Sequence, residues 1–192
     1  MNPFQVTKPV QPSDVIGREK EKAQLVALAV AGNNARVTAP RRYGKTSLLM
    51  SAQQELCDEG WLPIYVDLLG IISVDDFSAR IEHAYTKQLK GAVAQWFVGK
   101  RRQLKPTVSA GGGPVPIAVT LDLSGSSEEV LIERLSLPAQ VYERTGSRVH
   151  VVFDEFQEID RIPRRMLTSF CAAASSIMAM PLVMSSQVRN ST

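Results

Sequence analysis

Apolar positions along this chain follow two rhythms, one near 3.6 residues and one of short unbroken runs. Over 18–31, Leu25, Leu28 and Ala29 fall on one side of a helix, and Gly32-Asn33-Asn34 ends it. Residues 35–38 form an apolar run too short for a helix, which predicts a buried strand. Leu48, Leu49, Ala52 and Leu56 predict a second helix, with Gly60 just past its end. Residues 62–68 predict a second strand. Ser73 can cap one long helix that carries Phe77, Ile81, Tyr85, Leu89 and Trp96. Ser126-Ser127-Glu128-Glu129 is a capping box for the next helix, which Pro138 kinks or splits and Gly146 ends. Residues 148–153 and 182–186 are two further strands. The helix between them starts near Pro163 and turns Met166, Leu167, Phe170, Ala173, Ala174 and Ile177 inward.

Strands alternating with helices predict an α/β fold: a mostly parallel sheet flanked by helices on both faces. One interruption stands out. Residues 107–110 and 115–123, around Gly111-Gly112-Gly113, read as an inserted β-hairpin within about 103–125. Residues 1–14, with Pro3, Pro9 and Pro12, read as an extended lead-in, and 15–192 as one domain. The last strand is expected to leave an open sheet edge.

Composition narrows this little. The 192 residues are 44% hydrophobic and 21% charged, as in an ordinary globular domain. The net charge of +3 comes from interspersed acids and bases, which favours a solvated surface over a nucleic-acid patch. Cys57 and Cys171 fall in helical patterns, as small core residues of a reducing compartment. The start of the chain lacks an apolar signal core. The most apolar stretch, 171–184, is broken by Ser175, Ser176 and Pro181 and falls short of the roughly 18 apolar residues of a spanning helix. The expectation is a cytoplasmic protein with no membrane partner.

The chemistry lies in two motifs. Between the first strand and the second helix stands Ala39-Pro40-Arg41-Arg42-Tyr43-Gly44-Lys45-Thr46-Ser47. Its end matches the phosphate-binding loop GxxxxGK[ST], with Ala39 in place of the first glycine. Such a loop gathers backbone N–H groups at a helix N-terminus, where the dipole also favours an anion. The expected nucleotide-binding residues are Arg42, Tyr43, Gly44, Lys45, Thr46 and Ser47. Lys45 puts charge on the β and γ oxygens, and Thr46 offers a hydroxyl to magnesium. Ala39 is tolerable if its φ stays negative. The plainer alternative is a lysine and a threonine opening an ordinary helix.

The strand over 148–153 runs into Asp154-Glu155, about a hundred residues downstream. Asp154 can hold magnesium and Glu155 can orient and deprotonate an attacking water. Open α/β sheets bind ligands at the carboxyl ends of their strands, where both motifs lie. Ser185 and Ser186 end the fourth strand and are candidate γ-phosphate sensors, a simple strand cap being equally open. Arg41 and Arg42 can touch phosphate or a neighbouring subunit, a solvated loop being the plainer reading. Gln157 and Glu158 read as surface residues. His83 and His150 have no partner pattern.

Taken together, Val15-Ile16-Gly17-Arg18-Glu19-Lys20-Glu21, the loop from Ala39 to Leu49, and Val151-Val152-Phe153-Asp154-Glu155-Phe156-Gln157-Glu158 resemble the archaeal-type, STAND-like signal-transduction branch of the AAA-type P-loop ATPases. The hairpin around Gly111–Gly113 is similar to an insertion common in that group. The resemblance implies a P-loop NTPase fold with an additional strand between the two motifs. It implies ATP and Mg2+ as ligands, hydrolysis coupled to a conformational switch, and Gly17-Arg18-Glu19 near the base. Relatives carry Gly-Ser where this chain has Ser185-Ser186. They also continue into a fifth strand, a helical lid with an arginine, and a DNA-binding-like domain. The expectation is therefore a core truncated after its fourth strand, either a fragment or a minimal form whose missing parts come from a partner. Its arginine would come from another copy or a partner protein, and nucleic acid would be reached only through a missing C-terminal domain. Two alternatives to an ATPase switch are a non-hydrolysing nucleotide-binding scaffold or degenerate fragment, and a small-molecule kinase.

Overall fold

The computed structural model describes residues 17–40, 42–103, 127–162 and 182–187. The lead-in, the hairpin over 107–123, Arg41, the helix after Pro163 and Cys171 lie outside them.

Among the described residues four strands form one sheet: β1 (Ala35–Ala39), β2 (Leu62–Asp67), β3 (Val149–Asp154) and β4 (Leu182–Gln187). Every pairing is parallel and the order is β1-β4-β3-β2. All carboxyl ends therefore share one rim. Among the described residues six helices cover the sheet: α1 (Glu19–Val30), α2 (Lys45–Asp58), α3 (Val74–Gln88), α4 (Gly91–Gln103), α5 (Ser127–Leu135) and α6 (Leu137–Thr145).

β3 shows why helices are needed on both faces. All six of its residues are buried. Val149, Val151 and Phe153 enter a core made with α3, α5 and α6, whereas Val152 enters a second core made with α1 and α2. Successive strand residues point to opposite faces, so an unbroken apolar run suits only a strand covered twice. Phe77 of α3 meets Phe153 edge-on at 5.6 Å between ring centroids, a favourable aromatic geometry.

The sheet corrects one expectation. β4 is inserted between β1 and β3, so the last strand is interior, and the edges of the described sheet are β1 and β2. The edge at β2 is also blocked. Its inward residues bond to β3, and its outward ones are Pro63, Tyr65 and Asp67. Pro63 has no N–H. The Tyr65 N–H donates to Gln88 Oε1 at 2.8 Å, and Gln88 Nε2 donates back to the Tyr65 carbonyl at 2.8 Å. Arg80 Nη1 donates to the Asp67 carbonyl at 3.0 Å. These side chains take the place of a further strand.

The helix from Ser73 is also not continuous. Ser73 caps α3 as expected, its Oγ accepting from the Asp76 N–H at 3.1 Å. α3 nevertheless stops at Leu89, which is extended, and Gly91 opens α4 with φ 61°. The apolar period runs across this break because both helices feed one core, which holds Phe77, Ile81, Tyr85, Leu89 and Phe97. Ser136 divides α5 from α6, with Pro138 in the first turn of α6 and Gly146 ending it at φ 71°. Cys57 is exposed rather than core: Leu49, Ala52 and Leu56 form the inner stripe of α2, and Cys57 lies off it.

Candidate functional site

The path from β1 into α2 turns on two left-handed residues, Arg42 at φ 66° and Gly44 at φ 69°. Gly44 is the residue just before α2, and its conformation is one that a side chain would strain. Ala39 ends β1 outside the left-handed region, so the loop forms without a glycine there. The first-turn N–H groups of α2 have no intrahelical acceptor and face the rim. Lys45 is buried, Thr46 is half-buried, and Arg42 and Tyr43 are exposed.

Across the rim, Asp154 ends β3 and is 3% exposed. Its Oδ2 accepts the Thr46 hydroxyl at 2.7 Å, which joins the two motifs across 108 positions of chain. The same oxygen accepts the Tyr65 hydroxyl at 2.5 Å. Its Oδ1 accepts the Glu155 N–H at 2.9 Å. Burial first, and then the negative charge of Asp154, hold the Tyr65 hydroxyl above the ordinary phenol range, so it remains a donor. Tyr65 has no sequence signature; only its register with β3 reveals it.

Glu155 is left-handed, at φ 55°, and half-buried, and its Oε2 accepts Gln157 Nε2 at 2.5 Å. Residues Phe156–Arg161 form a 3-10 helix. That short helix overturns the surface reading of the next two residues. Gln157 is half-buried. Glu158 is buried, and its Oε2 accepts the Gly70 N–H at 3.2 Å and pairs with Arg161 Nη1 at 3.1 Å. Glu158 thus ties the segment after β3 to the turn after β2.

Arg18, at the start of α1, donates from Nη1 to the Tyr43 carbonyl at 3.0 Å, so the Gly17-Arg18-Glu19 segment reaches the phosphate loop. From Arg18 a groove of about 370 Å³ runs between α1 and β1, past Glu21, Leu25, Asn34 and Arg36. The backbone of β4 sets Ser185 opposite Val37 and Ser186 opposite Thr38, in the strand between the two motifs.

The donors fit magnesium. A hydroxyl and a carboxylate are hard oxygen ligands, as this ion prefers. Among the described residues no cluster of three or more His, Cys, Asp or Glu could hold a metal alone. Magnesium commonly binds to one or two carboxylates together with substrate phosphates, and Thr46 and Asp154 beside an anion-binding helix end match that pattern.

No protein-family model and no curated protein matches the sequence. Solved structures do. The chain is similar to the Walker-type ATPase PABY2304 of Pyrococcus abyssi at 18% identity and a TM-score of 0.56, over 95% of this chain and 48% of that one. It is similar to the ORC2 protein of Aeropyrum pernix, solved as ADPNP–ADP complexes, at 14% identity and a TM-score of 0.55, over 94% and 43%. It is similar also to Cdc6p of Pyrobaculum aerophilum at 14% identity and a TM-score of 0.55, over 96% and 42%. This is an α/β P-loop NTPase fold. The P-loop chain spans less than half the length of each of these structures. No described helix is long and apolar enough to cross a membrane.

Proposed function

We propose that this P-loop domain binds ATP with magnesium and hydrolyses it as a conformational switch. The observation that carries the reading is the 2.7 Å bond from Thr46 to Asp154, which assembles a phosphate loop and an acidic strand end at one rim of the sheet. The similar structures, one solved with ADPNP and ADP, support it.

Each residue has a role that its position suits. The N–H groups opening α2 receive the phosphates, Lys45 adds a fixed positive charge, and Arg42, Tyr43 and Ser47 shape the loop. The groove beside Arg18 takes the base. Thr46 and Asp154 hold magnesium, which neutralises phosphate charge when bound. Glu155 accepts a proton from the attacking water. Ser185 and Ser186 lie where β4 can report the γ-phosphate, and an arginine from a second copy or a partner completes charge stabilisation. Catalysis here is positioning and electrostatics rather than covalent chemistry.

A non-hydrolysing scaffold is the second reading. It is favoured by Gln157, whose amide occupies the Glu155 carboxylate. Two measurements separate these. Calorimetry with magnesium and ATP should show binding by the native chain and its loss in Lys45→Ala. Phosphate release should then occur in the native chain and vanish in Glu155→Gln with binding retained. A folded native chain that binds no nucleotide refutes both readings. Binding without Glu155-dependent turnover leaves the scaffold.

A further inference from the structure

Asp154 Oδ2 accepts the hydroxyls of Thr46 and Tyr65, and Tyr65 belongs to no recognised motif. We propose that Tyr65 is a positioning residue of the nucleotide site: its hydroxyl, sharing Asp154 Oδ2 with the Thr46 hydroxyl, presets the carboxylate on which magnesium-dependent nucleotide binding relies. This rests on the ATP–magnesium reading above.

The placement follows from the sheet. Tyr65 pairs with Val152, two residues before Asp154. Side chains alternate along a strand, so Val152 and Asp154 share a face, and Tyr65 lies on that face against the core of α1 and α2. A tyrosine is long enough to cover the two-residue offset, and its hydroxyl arrives at Asp154 at 2.5 Å. A phenylalanine would fill the same space without reaching. The Tyr65 backbone is fixed as well, since Gln88 holds both its N–H and its carbonyl.

The two donors leave the site competent for a cation. Thr46 spends its proton on Asp154, so lone pairs of its oxygen stay available to a metal. Tyr65 binds the carboxylate from the β2 side and resists rotation of Asp154 away from Thr46. Three side chains from α2, β2 and β3 thus meet at one oxygen. A merely structural tyrosine would need only a satisfied hydroxyl, and its loss would affect all binding alike.

The test uses that difference. ATP affinity is measured by calorimetry with excess magnesium and again with EDTA, and the ratio of the two is the magnesium gain. The variants are Tyr65→Phe, Asp154→Asn and the double variant, with a thermal melt for each. Tyr65→Phe keeps the ring and isolates the hydroxyl. Its gain should fall about tenfold, the low end for losing a partner that orients a metal ligand, while affinity in EDTA is unchanged. In the Asp154→Asn background it should cause no further loss. An unchanged gain, an equal loss in EDTA, or a full further loss beside Asp154→Asn overturns the role of Tyr65 alone. A native chain that binds ATP without any magnesium gain, or does not bind, overturns the ATP–magnesium reading and this inference with it.

Discussion

His150 offers the sharpest test of the packing around β3. It is 1% exposed, and neither ring nitrogen has a hydrogen-bond partner among the described residues. Burial pulls its pKa from 6.5 down to about 4. The sign follows from which state takes the proton. Above pH 6.5 the ring is neutral in both folded and unfolded chains and carries no charge penalty. As pH falls from 6.5 toward 4, the unfolded chain binds a proton that the folded chain refuses, so stability is lost, and below about 4 the loss is complete. At about 1.4 kcal/mol per unit, this amounts to about 3 kcal/mol, with a slope no steeper than about 1.4 kcal/mol per pH unit. That is a large share of the roughly 5–15 kcal/mol typical of a domain. The assay is urea unfolding at pH 7, 6, 5 and 4.5 for the native chain and for His150→Leu. Carboxylates titrate in both, so the difference isolates His150. At pH 7 the leucine variant should be at least as stable, because it removes two buried polar atoms without partners. Its advantage should grow by about 2 kcal/mol or more by pH 4.5. Parallel stability curves for the two proteins would refute a buried neutral imidazole.

Two further outcomes follow from backbone features. Gln88→Ala removes both bonds to the Tyr65 main chain and should cost about 1–2 kcal/mol in urea unfolding. Because it bares the β2 edge, it should also raise concentration-dependent light scattering, and monodisperse solutions of unaltered stability would contradict the edge-blocking role. Glu155→Gly relieves a left-handed non-glycine residue and should gain about 1 kcal/mol while abolishing turnover, seen as a higher melting temperature beside lost phosphate release. A lower melting temperature would show that the Glu155 side chain is worth more than its strain.

Much of this arrangement is legible in the sequence, and the parts that are not share a cause. The period of Leu48, Leu49, Ala52 and Leu56, the unbroken run before Asp154, and Gly44-Lys45-Thr46 are local signals, and all lie where they point. Strand order is not local. Nothing in residues 182–187 distinguishes an edge from an interior strand, and the strand between the motifs was implied by the family resemblance rather than by any spacing. Tyr65 sits inside an ordinary strand, and its meaning depends on a register set 89 positions away. Glu158 looked exposed because acids usually are, but a 3-10 helix has a different facing pattern from the surrounding elements. The break at Leu89 was hidden by its own apolar neighbours, although Gly91 marked it.

The bond from Thr46 to Asp154 also bears on how the chain folds. Its partners are 108 positions apart: Thr46 lies in the first turn of α2, which follows β1, Asp154 ends β3, and β4 lies between those two strands. Closing so long a loop costs entropy before any contact compensates for it, and sheets paired this way form slowly. The proposed nucleotide site is therefore complete only once β4 has entered the sheet. A ligand bound there favours only the completed topology, by RT ln(1 + [L]/Kd). ATP would then act as a fastener for the whole domain, and its withdrawal would be felt first as a loosening of β4 between its neighbours.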